Sequence, residues 1–378
     1  MTPKTAQGIS ASLRRIIEEA IVAQGGWISF ERFMALALYT PGLGYYANDG
    51  VIFSQLPAGA RAGTSASGGD FVTAPEMSPL FGRTLARQVA QALQVTQTDE
   101  VWEFGAGSGA LALQLLDTLQ ALGVPVRRYT IVDLSGTLRA RQQLTLAKHG
   151  ELVRWVSELP AMMRGVVLGN EVLDAMPVKL LARVAGHWHE RGVVLAADQS
   201  GFTWQDQPTE LRPPLEIEGA HDYLTEIHPQ AEAFVCTLAD KLQVGAAFLI
   251  DYGFPEAEYY HPQRHMGTVM CHRAHRSDSD PLQDVGLKDI TAHINFTGIA
   301  LAAQDAGLNV LGYCNQARFL TNCGLLDLLG TAGLVDRVHA QRLIMEHEMG
   351  ELFKVIGLCQ GEAWHAMGFA QGDRTHKL

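Results

Sequence analysis

The chain has 378 residues, 47% hydrophobic and 18% charged, and its 29 Lys and Arg against 40 Asp and Glu give a formal net charge of −11. That balance supports a large buried core and excludes a disordered or fibrous chain. The acidic surplus disfavours unassisted binding to phosphate backbones, so no nucleic-acid partner is expected. No run of eighteen apolar residues occurs, so no membrane span is expected either.

At the N-terminus, apolar residues recur at helical spacing from Ser10 to about Ala23 (Leu13, Ile16, Ile17, Ala20, Ile21), and Gly25–Gly26 ends the run. The segment carries Glu18 and Glu19 and lacks an apolar h-region, so it reads as an amphipathic helix rather than a secretion signal. Ser29 is placed to cap a second helix with a Phe30, Phe33, Met34, Ala37 stripe, stopped by Pro41-Gly42. Residues 57–69 form a Gly/Ala/Ser-rich loop, and Pro79 to Val95 reads as a further helix.

The middle of the chain alternates short apolar runs with helical patterns, the signature of a parallel sheet wound with helices. Strands are expected at 101–104 (VWEF), 129–133 (YTIVD), 153–156 (VRWV), 166–170 (VVLGN) and 247–251 (AFLID). The stretch 180–205 breaks that rhythm with β-rich runs separated by turn residues, which predicts an antiparallel insertion at about 178–228. From Gln316 on, Leu, Met and Ala at helical spacing predict a helical tail. The expected parts are therefore an N-terminal helical segment (1–98), a Rossmann-like α/β core (99–315) and a C-terminal helical segment (316–378).

The sharpest local signal is VWEFGAGSGAL, an apolar strand followed by Gly105, Gly107 and Gly109 and then a helical run. Glycines there let the backbone turn tightly and approach a ligand, with helix N–H groups aimed at it. The GxGxG spacing differs from the dinucleotide pattern GxGxxG, and Glu103, two residues before the first glycine, suits a cofactor with positive charge better than a pyrophosphate. S-adenosylmethionine carries that charge on its ammonium and sulfonium groups. Asp133 ends the next strand, where an acidic side chain accepts from both ribose hydroxyls, and Leu134 beside it joins the expected cofactor residues. A ligand-free tight turn and a nicotinamide site are the alternatives.

GNEVLDAMP puts Asn170, Glu171 and Asp174 at the C-terminal end of a central strand, the side on which open α/β sheets hold ligands. A helical turn there would set Glu171 and Asp174 on one face, to position a cation or accept a proton. The alternative is a helix cap with acidic first-turn residues. GGDFVTAPEMSPLFG sets Thr73 and Pro75 just before a helix, and DITAHINF places His293 beside Asn295. His261, His265, His272 and His275 flank Cys271, but their spacing fits no zinc pattern, and no metal is expected. The five cysteines are odd in number and form no CxxC, which points to free thiols in a reducing compartment and to a cytoplasmic location.

Taken together, GDFVTAPEMS, EFGAGSGAL, GNEVLDAMP and DITAHINF, in that order, resemble the MidA-like class I methyltransferases that use S-adenosylmethionine. The resemblance runs from PGLGYY at Pro41 to GELFKVIGL near the C-terminus. It implies a class I methyltransferase fold, with Gly105, Gly107, Gly109 and Asp133 binding the cofactor and Thr73, Pro75, Asn170 and Glu171 set around the methyl donor. Ala74, Asp133 and Asn295 stand where the family has Ser, Glu and Asp. Mitochondrial members assist complex I assembly and are associated with arginine methylation of a complex I subunit, so the resemblance implies a protein substrate, a respiratory-complex subunit among the candidates, and arginine as the acceptor. Glu171, Asp174 and His293 are the expected catalytic residues. A non-catalytic assembly factor that binds the cofactor, and a methyltransferase acting on RNA or a small molecule, are the competing readings.

Overall fold

The computed structural model describes residues 6–48, 73–133, 135–198, 201–273 and 276–378. Leu134, His275 and the loop at 57–69 lie outside the described residues. The chain forms two interleaved units, a larger one of Val72–Leu173, Glu232–Gly253 and Phe296–Leu378 and a smaller one of Met1–Phe71, Asp174–Ala231 and Phe254–Asn295.

In the larger unit, helices α1 (Ala74–Met77) and α2 (Pro79–Thr96) precede strand β1 (Glu100–Phe104), which runs through the glycine loop into α3 (Ala110–Ala121). Next come β2 (Arg128–Val132), α4 (Gly136–Thr145), β3 (Val153–Val156) and β4 (Met163–Asn170). After the chain returns from the smaller unit, α5 (Pro229–Lys241) leads into β5 (Leu242–Phe254), and α6 (Phe296–Asp305) into β6 (Leu308–Asn315). The path ends through α7 (Gln316–Asn322), α8 (Leu325–Thr331) and α9 (Leu334–Ile344) into β7 (Phe353–Gln360).

The sheet order is β6-β7-β5-β4-β1-β2-β3. Strands β5, β4, β1, β2 and β3 pair in parallel, while β7 lies antiparallel between β5 and β6. This is the Rossmann-like α/β sheet that the alternating pattern predicts. Central strands buried on both faces explain the continuous apolar runs: Val101, Trp102, Val166, Val167 and Leu168 are all at most 1% exposed. The strand order reverses between β1 and β4, so their C-terminal ends open the crevice in which such sheets hold ligands.

Two expectations need correction. The C-terminal segment is not helical throughout, since Phe353–Gln360 is the antiparallel strand β7. Seven of its eight residues are buried, and a short run apolar on both faces carries no period to separate strand from helix. The residues after Asn170 do not form a helix either. Glu171 has φ +54°, its N–H donates to Ile250 O at 2.9 Å, and the chain turns irregularly to Pro177. Both the shared helical face of Glu171 and Asp174 and the helix-cap alternative fall with that turn.

In the smaller unit, helices Ala6–Ala23 and Phe30–Tyr39 bury Leu13, Ile17, Ile21, Phe30 and Phe33. Ser29 caps the second of them, its side chain accepting from Arg32 N at 3.2 Å. The predicted antiparallel insertion is present: Lys179–Val184 pairs with both His187–Leu195 and Tyr223–Ile227, and Phe202–Pro208 extends the ladder. A separate sheet sets Met270–Arg273 between Arg276–Asp278 and Asp289–Thr291.

Candidate active site

The glycine loop is built by backbone conformations that L side chains avoid. Gly105, Gly107 and Gly109 have φ of +62°, +51° and +83°. Among the described residues, a Cβ on Gly107 would meet nothing within 4 Å, so they leave an open space over the loop's middle glycine. Gly109 stands at the N-cap of α3 without a side-chain cap, which leaves first-turn N–H groups of that helix to other partners.

Helix α4 ties the loop down from the side. Gln142 Nε2 donates to Gly107 O at 3.0 Å, and Thr145 Oγ1 donates to Ser108 O at 2.9 Å. The same Gln142 amide donates to Asp133 Oδ2 at 2.8 Å, while Asp133 Oδ1 accepts from Ser135 N at 2.9 Å. Burial raises the Asp133 carboxyl above its ordinary value, against those two hydrogen bonds and the nearby Arg139 charge, which lower it. Asp133 and the glycine loop are therefore brought together through Gln142, which no sequence motif marks. Gln142 lies mid-helix in a polar stretch, and only the register of α4 against the loop marks it.

Glu103 sits inside the sheet, 2% exposed, with Tyr129 Oη donating to its Oε2 at 2.6 Å. Burial pushes its carboxyl up to about 7, opposed by the Tyr129 hydrogen bond and aided by Asp133. Thr73 stands at the N-cap of α1 and Pro75 is buried in that helix, with Pro75 O accepting from Gln114 Nε2 of α3 at 2.7 Å. This anchors the short helix to the one that follows the glycine loop.

At the end of β4, the turn 170–173 is held by the end of β5. Leu173 N donates to Asp251 Oδ2 at 2.9 Å, and Asp251 is fully buried. Asn170 Nδ2 donates to Glu171 Oε1 at 2.9 Å and Tyr252 Oη to Glu171 Oε2 at 3.3 Å. A Cβ on Gly105 would lie 3.1 Å from Val172 Cγ2, so this turn packs directly against the glycine loop. Asn170 Oδ1 is buried and has no hydrogen-bond partner among the described residues. In the sequence, Asp251 only closes the strand expected at 247–251 and Tyr252 only follows it. Their contribution depends on the parallel register that sets Ile250 beside Asn170.

The chain leaves the larger unit between Leu173 and Asp174, so Glu171 is described with one unit and Asp174 and His293 with the other. In the smaller unit, Asp174 is 5% exposed and its carbonyl accepts from Ala292 N at 3.0 Å, which sets it beside the His293 segment. His293 N donates to Thr268 Oγ1 at 3.0 Å, and the His293 ring lies 5.4 Å from that of Phe254. Tyr46 Oη donates to Asp289 at 2.7 Å, and Asp289 and Asp174 both help raise the Tyr39 and Tyr46 hydroxyls, after burial as the largest cause. His228 and Glu226 also belong to this unit's interior. Burial lowers His228 to about 4, and its Nε2 meets His293 O at 2.7 Å. Among the described residues, no group of three His, Cys, Asp or Glu side chains could hold a metal ion, and no helix is long and apolar enough to cross a membrane.

Residues 84–314 match a family described as "Putative S-adenosyl-L-methionine-dependent methyltransferase". A "likely methyl transferase" from Burkholderia thailandensis, crystallised with S-adenosyl-homocysteine, is 47% identical, with a TM-score of 0.91 over 99% of this chain and 98% of that one. The mitochondrial protein arginine methyltransferase NDUFAF7 of Danio rerio is 25% identical over 404 residues, covering 94% of this chain and 88% of the relative. Its Mus musculus counterpart is 24% identical over 406 residues, covering 96% and 87%. The parallel sheet, its glycine loop and the match over most of the chain agree, and this chain belongs to that family of S-adenosyl-L-methionine-dependent methyltransferases.

Proposed function

We propose that the chain moves a methyl group from S-adenosylmethionine to a guanidinium nitrogen of an arginine in a protein partner. When bound, the cofactor would supply an electrophilic methyl: the S–C bond would break with its electron pair kept on sulfur as an N–C bond forms, and the proton lost from the nitrogen would pass to the Glu171 carboxylate or to water. The residues of the larger unit fit that cofactor. Among the described residues, Gly107 has open space above it, the Asn170 Oδ1 acceptor is buried without a partner, and Asp133 keeps acceptor capacity on both oxygens. In this reading Asp133 holds the ribose, the glycine loop takes the amino-acid end, and Asn170 accepts from a donor of the cofactor.

The observation that carries the acceptor assignment is the Glu171 carboxylate, held by Asn170 and Tyr252 on a positive-φ turn beside the glycine loop. Guanidinium stays protonated and is a weak nucleophile, so a site must fix its plane and draw positive charge from the attacking nitrogen. A carboxylate oriented by two donors does both, and non-glycine residues at positive φ cluster where geometry serves function. The net charge of −11 and the names of the mitochondrial relatives support a cationic protein substrate. The test is transfer of labelled methyl from S-adenosylmethionine into cell-extract proteins, followed by identification of the modified residue. Label on arginine is expected. Label on RNA or a small molecule, or none at all, overturns the reading.

A further inference from the structure

We propose that Gln142 is the positioning residue of the cofactor site, fixing Asp133 and the glycine loop in one geometry. The side chain is fully buried, and each end of its amide is accounted for. Trp155 Nε1 donates to Gln142 Oε1 at 2.9 Å. An indole N–H is a donor only, so the amide oxygen must face Trp155 and the NH₂ group must face the other way. There it meets two acceptors, Asp133 Oδ2 at 2.8 Å and Gly107 O at 3.0 Å, and both of its protons are used. A flipped amide would put oxygen against two oxygens and NH₂ against an N–H, so the orientation has no competitor.

The consequence for Asp133 follows from counting lone pairs. Oδ1 takes one proton from Ser135 N and Oδ2 takes one from Gln142, which leaves acceptor capacity on each oxygen. Two hydroxyl donors on adjacent carbons, as in a ribose diol, match a carboxylate prepared in that way. Both groups that Gln142 holds, the Gly107 carbonyl and the Asp133 carboxylate, belong to turns, the first after β1 and the second after β2. A Cβ on Gly109 would lie 3.4 Å from Gln142 Cα, so the loop also packs against the backbone of α4 at this residue.

The inference rests on the reading that Asp133 and the glycine loop hold the cofactor, and calorimetry with S-adenosylhomocysteine separates the two. The proteins compared are wild type, Gln142→Met, Asp133→Asn and the double variant, with melting temperatures measured alongside. Gln142→Met alone is expected to weaken binding about tenfold or more, the scale of a hydrogen bond to a charged acceptor. In the Asp133→Asn background the same change is expected to cost several-fold less, because the bond to position 133 is already weakened and the bond to Gly107 O is what remains to be lost. A purely structural role would cost the same in both backgrounds, and that result overturns the proposal, as does unchanged affinity in Gln142→Met. If Gln142→Met does not fold, Trp155→Phe takes its place; a drop of about threefold that vanishes with Asp133→Asn supports the proposal, and no drop overturns it. Unchanged affinity in Asp133→Asn alone would instead remove Asp133 from the site, a separate failure.

Discussion

Tyr129 Oη donates to Glu103 Oε2 at 2.6 Å between neighbouring parallel strands, a hydrogen bond between two side chains that are 0% and 2% exposed. The carboxyl is pushed from an ordinary 4.5 up to about 7 by burial, against that hydrogen bond. Between those two values the folded chain keeps a proton that the unfolded chain has released. Stability therefore falls as pH rises through the window, and above about 7 the full cost stands. At about 1.4 kcal/mol per unit it is of order 3 kcal/mol. Glu103→Gln keeps an acceptor for Tyr129 and loses the charge. Calorimetric melting should show it raised by several degrees over wild type at pH 8, with most of the gain gone near pH 4.5. A gain that does not depend on pH would contradict the assignment.

Asp133 carries the next expectation. Asp133→Ala should weaken S-adenosylmethionine and S-adenosylhomocysteine alike by about 1–3 kcal/mol, since both share the ribose. Nicotinamide dinucleotides should not bind either protein at similar concentrations. Titration calorimetry reads all of these, and equal affinity in the variant would exclude the ribose role.

Gly107→Ala separates folding from binding. Its Cβ would meet no atom of the described residues within 4 Å, so among them the substitution brings only the strain of φ +51°, about 1 kcal/mol. The added methyl occupies the space above the loop, so S-adenosylhomocysteine affinity should fall at least about tenfold while the melting point shifts little. Normal binding with a lowered melting point would mean that the open space serves no ligand.

For the acceptor side, Glu171→Gln should leave cofactor affinity within a few-fold and reduce methyl transfer about a hundredfold or more, the scale of lost electrostatic and acid–base assistance, and Asp174→Asn is compared by itself. Binding and transfer are measured separately on each protein. Full transfer in both variants would remove these carboxylates from the chemistry, whatever the acceptor proves to be.

What the residues determine alone is local. Ser29 as a cap, Pro41-Gly42 as a stop, the apolar runs of β1 to β5 and the glycines after β1 follow from capping, backbone freedom and burial on both sheet faces, and each is read within a few residues of itself. Tertiary structure decided the rest. Strand β7 is legible only once β5 and β6 lie on either side of it, because an apolar run buried on both faces has no period of its own. The turn at Glu171 is not helical because its N–H is drawn to Ile250 of a strand about eighty residues away, a partner that no local pattern announces. Gln142 is the clearest case. Its amide acquires meaning only when helix packing brings Asp133, Gly107 and Trp155 within hydrogen-bond reach, since a side chain's chemistry is fixed by its composition but its role by its neighbours.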